Sequence, residues 1–239
     1  MPITSSMTGR FRSIKGLKIY GFFFLVLILG SIILLVSCRR TEKAYYPDGQ
    51  IRYSLPKNAR GQLDGQAQFW FPNGKLEMTA EYKEGILHGR LVRFQMNGNP
   101  QSEDHYENGM LNGVSREFYL NGAVRTEVTY RNDTLHGKSR QYADAGQVVI
   151  EGQYENGYFE GYWLYRDRYG NVTGDANFFQ GTGVKRAWNH EGKIVGTTEY
   201  MDNLRHGKEV WYDNEGNIDR IVYYDFGDPV NYPVENPGF

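Results

Sequence analysis

The chain has 239 residues, a formal net charge of −1 and 23% charged residues. That balance leaves no basic footprint for a polyanion, so no nucleic-acid partner is expected. Aromatics make up 15% of the chain, and there are 29 Gly and 19 Tyr. Disordered chains are poor in aromatics, so a folded, β-rich chain is expected.

At the N-terminus, Arg10, Arg12, Lys15 and Lys18 precede a nearly continuous apolar run from Ile19 to Val36. A basic segment followed by an apolar one is the layout of an export signal. The run is also about as long as a bilayer span. It closes on LVSC, Leu35 to Cys38, which resembles the lipobox of bacterial lipoproteins. In that motif cleavage falls before the cysteine, which then becomes lipid-modified. The resemblance implies a signal peptide at residues 1–37, lipid attachment at Cys38 and a tether at 38–44. Cys38 is the sole cysteine, so no internal disulfide is available. Arg39, not Asp, follows it. By the same resemblance this implies an outer-membrane lipoprotein whose domain faces the periplasm. The alternative is an uncleaved inner-membrane signal anchor. Arg39 and Arg40 count against it, because basic flanks favour the cytoplasmic side.

Beyond the tether the chain repeats. Gly65, Gly89, Gly113, Gly137 and Gly161 are 24 residues apart, Gly183 follows after 22, and Gly207 after 24 more. A second glycine column (Gly74, Gly98, Gly122, Gly146, Gly170, Gly192, Gly216) and an aromatic column (Tyr82, Tyr106, Tyr130, Tyr154, Phe178, Tyr200, Tyr224) share that spacing. Each unit reads as strand, turn, strand, turn. Asn121-Gly122 fits a two-residue type I′ hairpin turn. That turn would set Phe118 opposite Arg125, Arg116 opposite Glu127 and Gly113 opposite Tyr130. In every unit a ring would then lie across the ladder from a glycine and restore its packing.

Alternation assigns the faces. Phe69, Phe71, Leu76, Met78, Ala80 and Tyr82 share one. Glu77, Glu103, Glu127 and Glu151 share the other with Arg116 and Arg140. That second face also carries one exposed aromatic per unit: Trp70, Phe94, Phe118, Tyr142, Trp188 and Tyr212, with Arg166 as the exception. The expected fold is all-β. It is an elongated antiparallel hairpin meander of roughly fourteen strands, too many for a flat open sheet without curling. A closed barrel is the alternative. Repeats occupy residues 45–225. A proline-containing tail, 226–239, is not expected to extend the ladder.

The unit YENGMLNGVSREFYLNGAVRTEVTY, Tyr106 to Tyr130, resembles the variant class of MORN repeats. The shared pattern is tyrosine, two residues, glycine, a spacer, glycine, an aromatic and Asn-Gly. Asp133 and Asn203 depart from it, replacing the glycine after the tyrosine. The resemblance implies a scaffold linked to membranes or protein partners. It also implies, as a second reading, an antitoxin or immunity-type inhibitor of a toxin protein. It supplies no active site.

Glu103, Glu127, Glu151 and Asp175 form a carboxylate column whose members should lie two strands apart, roughly 10 Å. Paired carboxylates in glycoside hydrolysis stand about 5–9.5 Å apart, so an envelope hydrolase is the weakest reading. His88, His136 and His206 share one repeat position and read as turn-lining groups, since zinc needs three or four converging ligands. No catalytic residue, cofactor or metal is expected. The expected function is therefore that of a non-catalytic, membrane-anchored scaffold or protein-binding module. Its exposed aromatics, Trp70, Phe94, Phe118, Tyr142, Trp188 and Tyr212, would stack on peptide, glycan or lipid.

Overall fold

The computed structural model describes residues 40–230, and its regular elements are all β-strands. In chain order they begin with β1 (Arg40–Tyr45), β2 (Ile51–Lys57), β3 (Gly65–Trp70), β4 (Leu76–Lys83), β5 (Ile86–Phe94) and β6 (Pro100–Glu107). There follow β7 (Met110–Leu111), β8 (Gly113–Phe118), β9 (Val124–Arg131), β10 (Thr134–Tyr142), β11 (Val148–Glu155) and β12 (Tyr158–Arg166). The last six are β13 (Val172–Phe179), β14 (Thr182–Trp188), β15 (Ile194–Met201), β16 (Leu204–Tyr212), β17 (Ile218–Asp225) and β18 (Asp228–Val230). The signal segment, Cys38 and the tail beyond Val230 lie outside the described residues. Among the described residues no helix is long and apolar enough to cross a membrane.

Strands pair antiparallel with their successors, giving one 18-stranded sheet. β7 and β8 are two pieces of one strand, both paired with β6. No register joins β1 to β18, so the meander is open and the barrel alternative falls. At about 4.8 Å per strand the sheet runs for about 80 Å. The strand count exceeds fourteen at both ends. β1 takes up Arg40 to Ala44, residues of the stretch read as tether, and pairs with β2. At the other end Pro229 lies opposite Tyr224 in β18, so the start of the tail does extend the ladder. An outermost strand tolerates proline because only one of its sides must supply ladder bonds.

Two kinds of turn alternate along the sheet. At one rim Asn108-Gly109 and its equivalents have positive φ at both central residues, 52° and 84° at this pair, which is the type I′ signature. At the opposite rim lies Asn121-Gly122. There Tyr119 N–H donates to the Ala123 carbonyl and Gly122 N–H to the Tyr119 carbonyl, and only Gly122 has a positive φ, 88°. This is a longer turn closed by a glycine bulge, so the type I′ assignment belongs to the other Asn-Gly.

The glycine–aromatic register holds in all seven units, from Gly65 opposite Tyr82 to Gly207 opposite Tyr224. Its cause differs from the expected one. Gly113 has φ 116° within a bulge after the type I′ turn, and an added Cβ would meet His105 of the preceding strand at 3.3 Å, not Tyr130. The left-handed backbone requires the glycine; the ring does not cover it. The 22-residue unit follows from the same device. Between β9 and β10 the register slips by two residues, from Leu135 opposite Tyr130 to Ser139 opposite Val128. Between β13 and β14 it runs unbroken from Phe179 opposite Thr182 to Gly174 opposite Ala187. The deletion removes the bulge and leaves the ladder intact.

The sheet is a single layer, and its main packed cluster lies on the face that carries the aromatic column, here called face A. Trp163, Ala176 and Phe178 are buried there, packed by Ile150, Tyr154, Phe159, Tyr165 and Tyr200. Tyr154 meets Trp163 edge-on with centroids 5.3 Å apart, and Phe178 meets Tyr200 likewise at 5.5 Å. Such pairs add about 0.5–1.5 kcal/mol each beyond area burial. A ring does cover a strand glycine here, since a Cβ at Gly152 would run into the Trp163 indole. Burial pushes the Tyr165 phenol up and the Lys185 ammonium down, and the Lys185 Nζ rests 4.2 Å from the Tyr165 ring centre.

Candidate binding surface

Trp70, Phe94, Phe118, Tyr142, Trp188 and Tyr212 each end the strand that enters a bulged turn. Across the ladder they meet Leu76, Pro100, Val124, Val148, Ile194 and Ile218. A register shift just inside each pair puts Val124, rather than Arg125, opposite Phe118. All six rings are half-buried rather than fully exposed. Each has an aliphatic neighbour across the strand, and the series repeats about every 10 Å along the rim, two strands at a time. The Arg186 guanidinium stands 5.8 Å from the Trp188 ring centre. The exception, Arg166, pairs with Val172 and binds Glu151 at 2.8 Å.

Inward from that rim, on the face opposite the aromatic cluster (face B), the predicted charge pairs are in place. Glu103, Arg116, Glu127, Arg140 and Glu151 stand directly opposite one another on β6, β8, β9, β10 and β11. Arg116 binds Glu127 at 2.7 Å, Arg90 binds Glu103 at 2.8 Å, and Arg140 stands 3.8 Å from Glu151. Carboxylates two strands apart therefore have an arginine between them. After Leu164 the row continues with Asp175, whose side chain is 4% exposed. Arg186 Nε and Nη2 donate to it at 2.8 and 2.6 Å, and the Tyr162 hydroxyl at 3.2 Å. These hydrogen bonds hold the Arg186 guanidinium above its ordinary range. The row is arranged as an ion-pair ladder, with Arg116 standing between Glu103 and Glu127 at 3.9 and 2.7 Å.

The histidines line turns. His88 Nδ1 accepts from Asn108 N–H at 3.5 Å, and His136 Nδ1 from Asn156 N–H at 3.4 Å. His206 Nδ1 accepts from Phe226 N–H, also at 3.4 Å. Each thus holds the first residue of the next type I′ turn. In the same position Glu160 accepts from Gln180 N–H at 2.9 Å. Among the described residues no three His, Cys, Asp or Glu side chains converge as a metal site would require.

Sequence reasoning missed the groups that tie units together. At the bulged rim Asn73, Asn97 and Asn121 donate to the carbonyls of Met96, Leu120 and Asp144, one unit on, at 3.2, 3.1 and 3.3 Å. Tyr46 and Tyr119 hydroxyls donate similarly to Trp70 and Tyr142 carbonyls at 2.7 and 2.6 Å. At the type I′ rim Asp133 accepts from Leu111 N–H at 2.7 Å. The fixed spacing of Asn73, Asn97 and Asn121 was the available signal, but turn residues normally bond within their own turn.

Comparison with known families supports the repeat reading. The MORN repeat variant model matches residues 63–84, 111–132, 135–156 and 205–225. Each match spans one bulged hairpin with its two strands. The units flanking the two-residue deletion, between Gly157 and Asp202, are not matched. No curated protein matches the chain.

Proposed function

We propose that this protein is a non-catalytic repeat scaffold, a protein-binding module held at the bacterial cell envelope by a lipid on Cys38. The observation that supports the reading is the open single-layer sheet of about 80 Å, whose rim repeats a half-buried aromatic unit after unit. A cleft enzyme concentrates its chemistry in one concavity, whereas this surface distributes equivalent contacts along its length. Trp and Tyr offer large contact areas at low entropic cost, as binding hot spots do. Lipid attachment would set β1 beside the membrane and leave the array to extend into the periplasm.

Affinity capture from native envelope with the full-length chain tests the binding role. A protein partner retained by the wild type and lost with Trp70→Ala plus Trp188→Ala is the expected result. One tight partner whose toxicity the chain abolishes would replace the scaffold by the inhibitor reading. Capture unchanged by both substitutions would remove the rim aromatics from the account. Mass spectrometry tests the anchor separately: an acylated Cys38 is expected, and an intact Met1 would refute cleavage.

A further inference from the structure

Face A is not filled evenly. Two of its rows cross β12 to β16 strand by strand. One runs Tyr165, Gly174, Ala187, Gly196, Trp211, and the other Trp163, Ala176, Lys185, Thr198, Glu209. The first row sets three small residues between two rings. At the same repeat positions other units carry Phe69, Met78, Arg93, Gln141 and Ile150, so the gap belongs to these strands and not to the repeat. A Cβ on Gly196 would stand 4.0 Å from that of Ala187, which puts both on the floor of one depression. Its cavity measures about 230 Å³, and Lys185, Ala187, Gly196, Thr198, Glu209 and Trp211 line it.

We infer that this depression is a binding site for one neutral hexopyranose, free or as a residue of a glycan. Trp211 forms one wall. Arg220, which projects from β17 on the side away from the pocket, stacks on it with its guanidinium carbon 3.9 Å from the ring centre. The axial C–H bonds of a pyranose carry slight positive charge and suit the electron-rich face of an indole. At the other end Lys185 rests its ammonium on the Tyr165 ring, 4.2 Å from the centre. An ammonium carries three N–H donors, and the ring leaves at least two of them for a ligand. Glu209 supplies acceptors. Thr198, Arg205 and Tyr224 donate to it and hold it in place, and a carboxylate has about four acceptor positions. A sugar hydroxyl both donates and accepts, so hydroxyls around one ring can serve Glu209 and Lys185 together.

The charges discriminate against other small ligands. Lys185 and Glu209 balance, so an anion would meet the carboxylate and a cation the ammonium. They stand two strands apart, about 10 Å, and Lys185 leans further away, toward β12. An α-amino acid holds both its charges on one carbon and does not span that distance. The volume lies below the roughly 300–1,000 Å³ of pockets for drug-sized ligands, which limits the occupant to one ring.

Saturation-transfer NMR and calorimetry on the full-length chain, in a detergent without a sugar headgroup, test this. The probes are the methyl pyranosides of glucose, mannose and galactose, N-acetylglucosamine, L-alanine and acetate. At least one sugar should bind with a Kd of about 1–10 mM, as a ligand of that size supports. Trp211→Ala, and Lys185→Met, which keeps the aliphatic stem, should each weaken it at least tenfold. Ala187→Leu, which fills the floor and keeps Trp211, should abolish it, with wild-type β circular dichroism as the check on folding. Trp70→Ala, at the far end of the sheet, should leave sugar binding unchanged, so this site and the rim of the scaffold reading can fail separately. A trisaccharide binding more tightly than its monosaccharide would assign the site to a glycan chain, and equal binding to a free sugar. No sugar binding by the wild type, binding indifferent to Ala187→Leu and Trp211→Ala, or binding of L-alanine or acetate alone would overturn the inference.

Discussion

Asn203 bonds to the backbone on both sides of Tyr158, although 44 residues of chain separate it from Phe159. Its Oδ1 accepts from Phe159 N–H and its Nδ2 donates to the Gly157 carbonyl, both at 2.7 Å. It reaches two type I′ turns back, across the unit that lost its bulge. One of the two residues that depart from the repeat pattern is thus the one that spans the unit with the deletion.

Replacing Asn203 by glycine should therefore destabilise the chain, although glycine is the residue most units carry there and suits the turn's φ of 67°. Two hydrogen bonds vanish, so a loss of about 1–2 kcal/mol in urea unfolding is expected. Equal or higher stability of Asn203→Gly would show that the long-range bonds contribute nothing.

Gly152 and Trp163 form a second coupled pair. Gly152→Ala drives a methyl into the indole and should cost about 1–3 kcal/mol through overpacking. Trp163→Ala should cost about 3–5 kcal/mol. The double variant should lose less than the sum, because removing the ring makes room for the methyl. Strict additivity in denaturant titrations would contradict the packing assigned to this pair.

Arg116 and Arg186, two of the cations on face B, should behave differently. Arg116 and Glu127 are both partly exposed, so Arg116→Ala should cost less than about 1 kcal/mol and lose its effect in molar salt. Arg186→Ala strands a buried Asp175 with Tyr162 as its remaining donor, at about 1–3 kcal/mol. Equal costs measured by chemical denaturation would deny the difference in burial its role.

Acid should loosen the C-terminal turns before the central ones. Asp167 is held below its ordinary range chiefly by the Asn171 side chain, and Asp213 by the Asn217 backbone N–H. A depressed carboxylate stabilises the fold above its unfolded pKa, about 3.9, and that contribution is lost as pH falls through the lower folded value. Asn73, Asn97 and Asn121 cap their own turns without titrating. Exchange at Asn171 and Asn217 amides should therefore accelerate below about pH 4 relative to Lys75, Asn99 and Ala123. Parallel behaviour of both groups would rule out carboxylate capping.

The period made the register legible. Once Gly113 and Tyr130 were known to recur together, Arg116 had to face Glu127 and Arg140 had to face Glu151. Turn types were not separable from one unit, because Asn-Gly suits both. The columns do separate them. Positions equivalent to Asn121 hold Ala145, Tyr169 and Glu215, of which Ala and Tyr seldom adopt positive φ. Positions equivalent to Asn108-Gly109 hold Asn156-Gly157 and Asp202-Asn203, which tolerate it. The contacts of Asn97 and Asn203 were not legible, since they depend on the separation of successive turns in space.

The central claim is that both rims are stitched from unit to unit, so that the hairpins form one continuous array. At the type I′ rim the second turn residue, normally a solvent-facing donor, bonds instead to the preceding unit. The amides are those of Gly85, Gly109, Asp133, Gly157, Gly181, Asn203 and Gly227, with N···O distances of 2.7–3.0 Å. Residue-resolved hydrogen exchange tests the claim directly. All seven turn-tip amides should be protected to the level of the flanking strand amides. Fast, solvent-like exchange at these tips beside protected strands would contradict it.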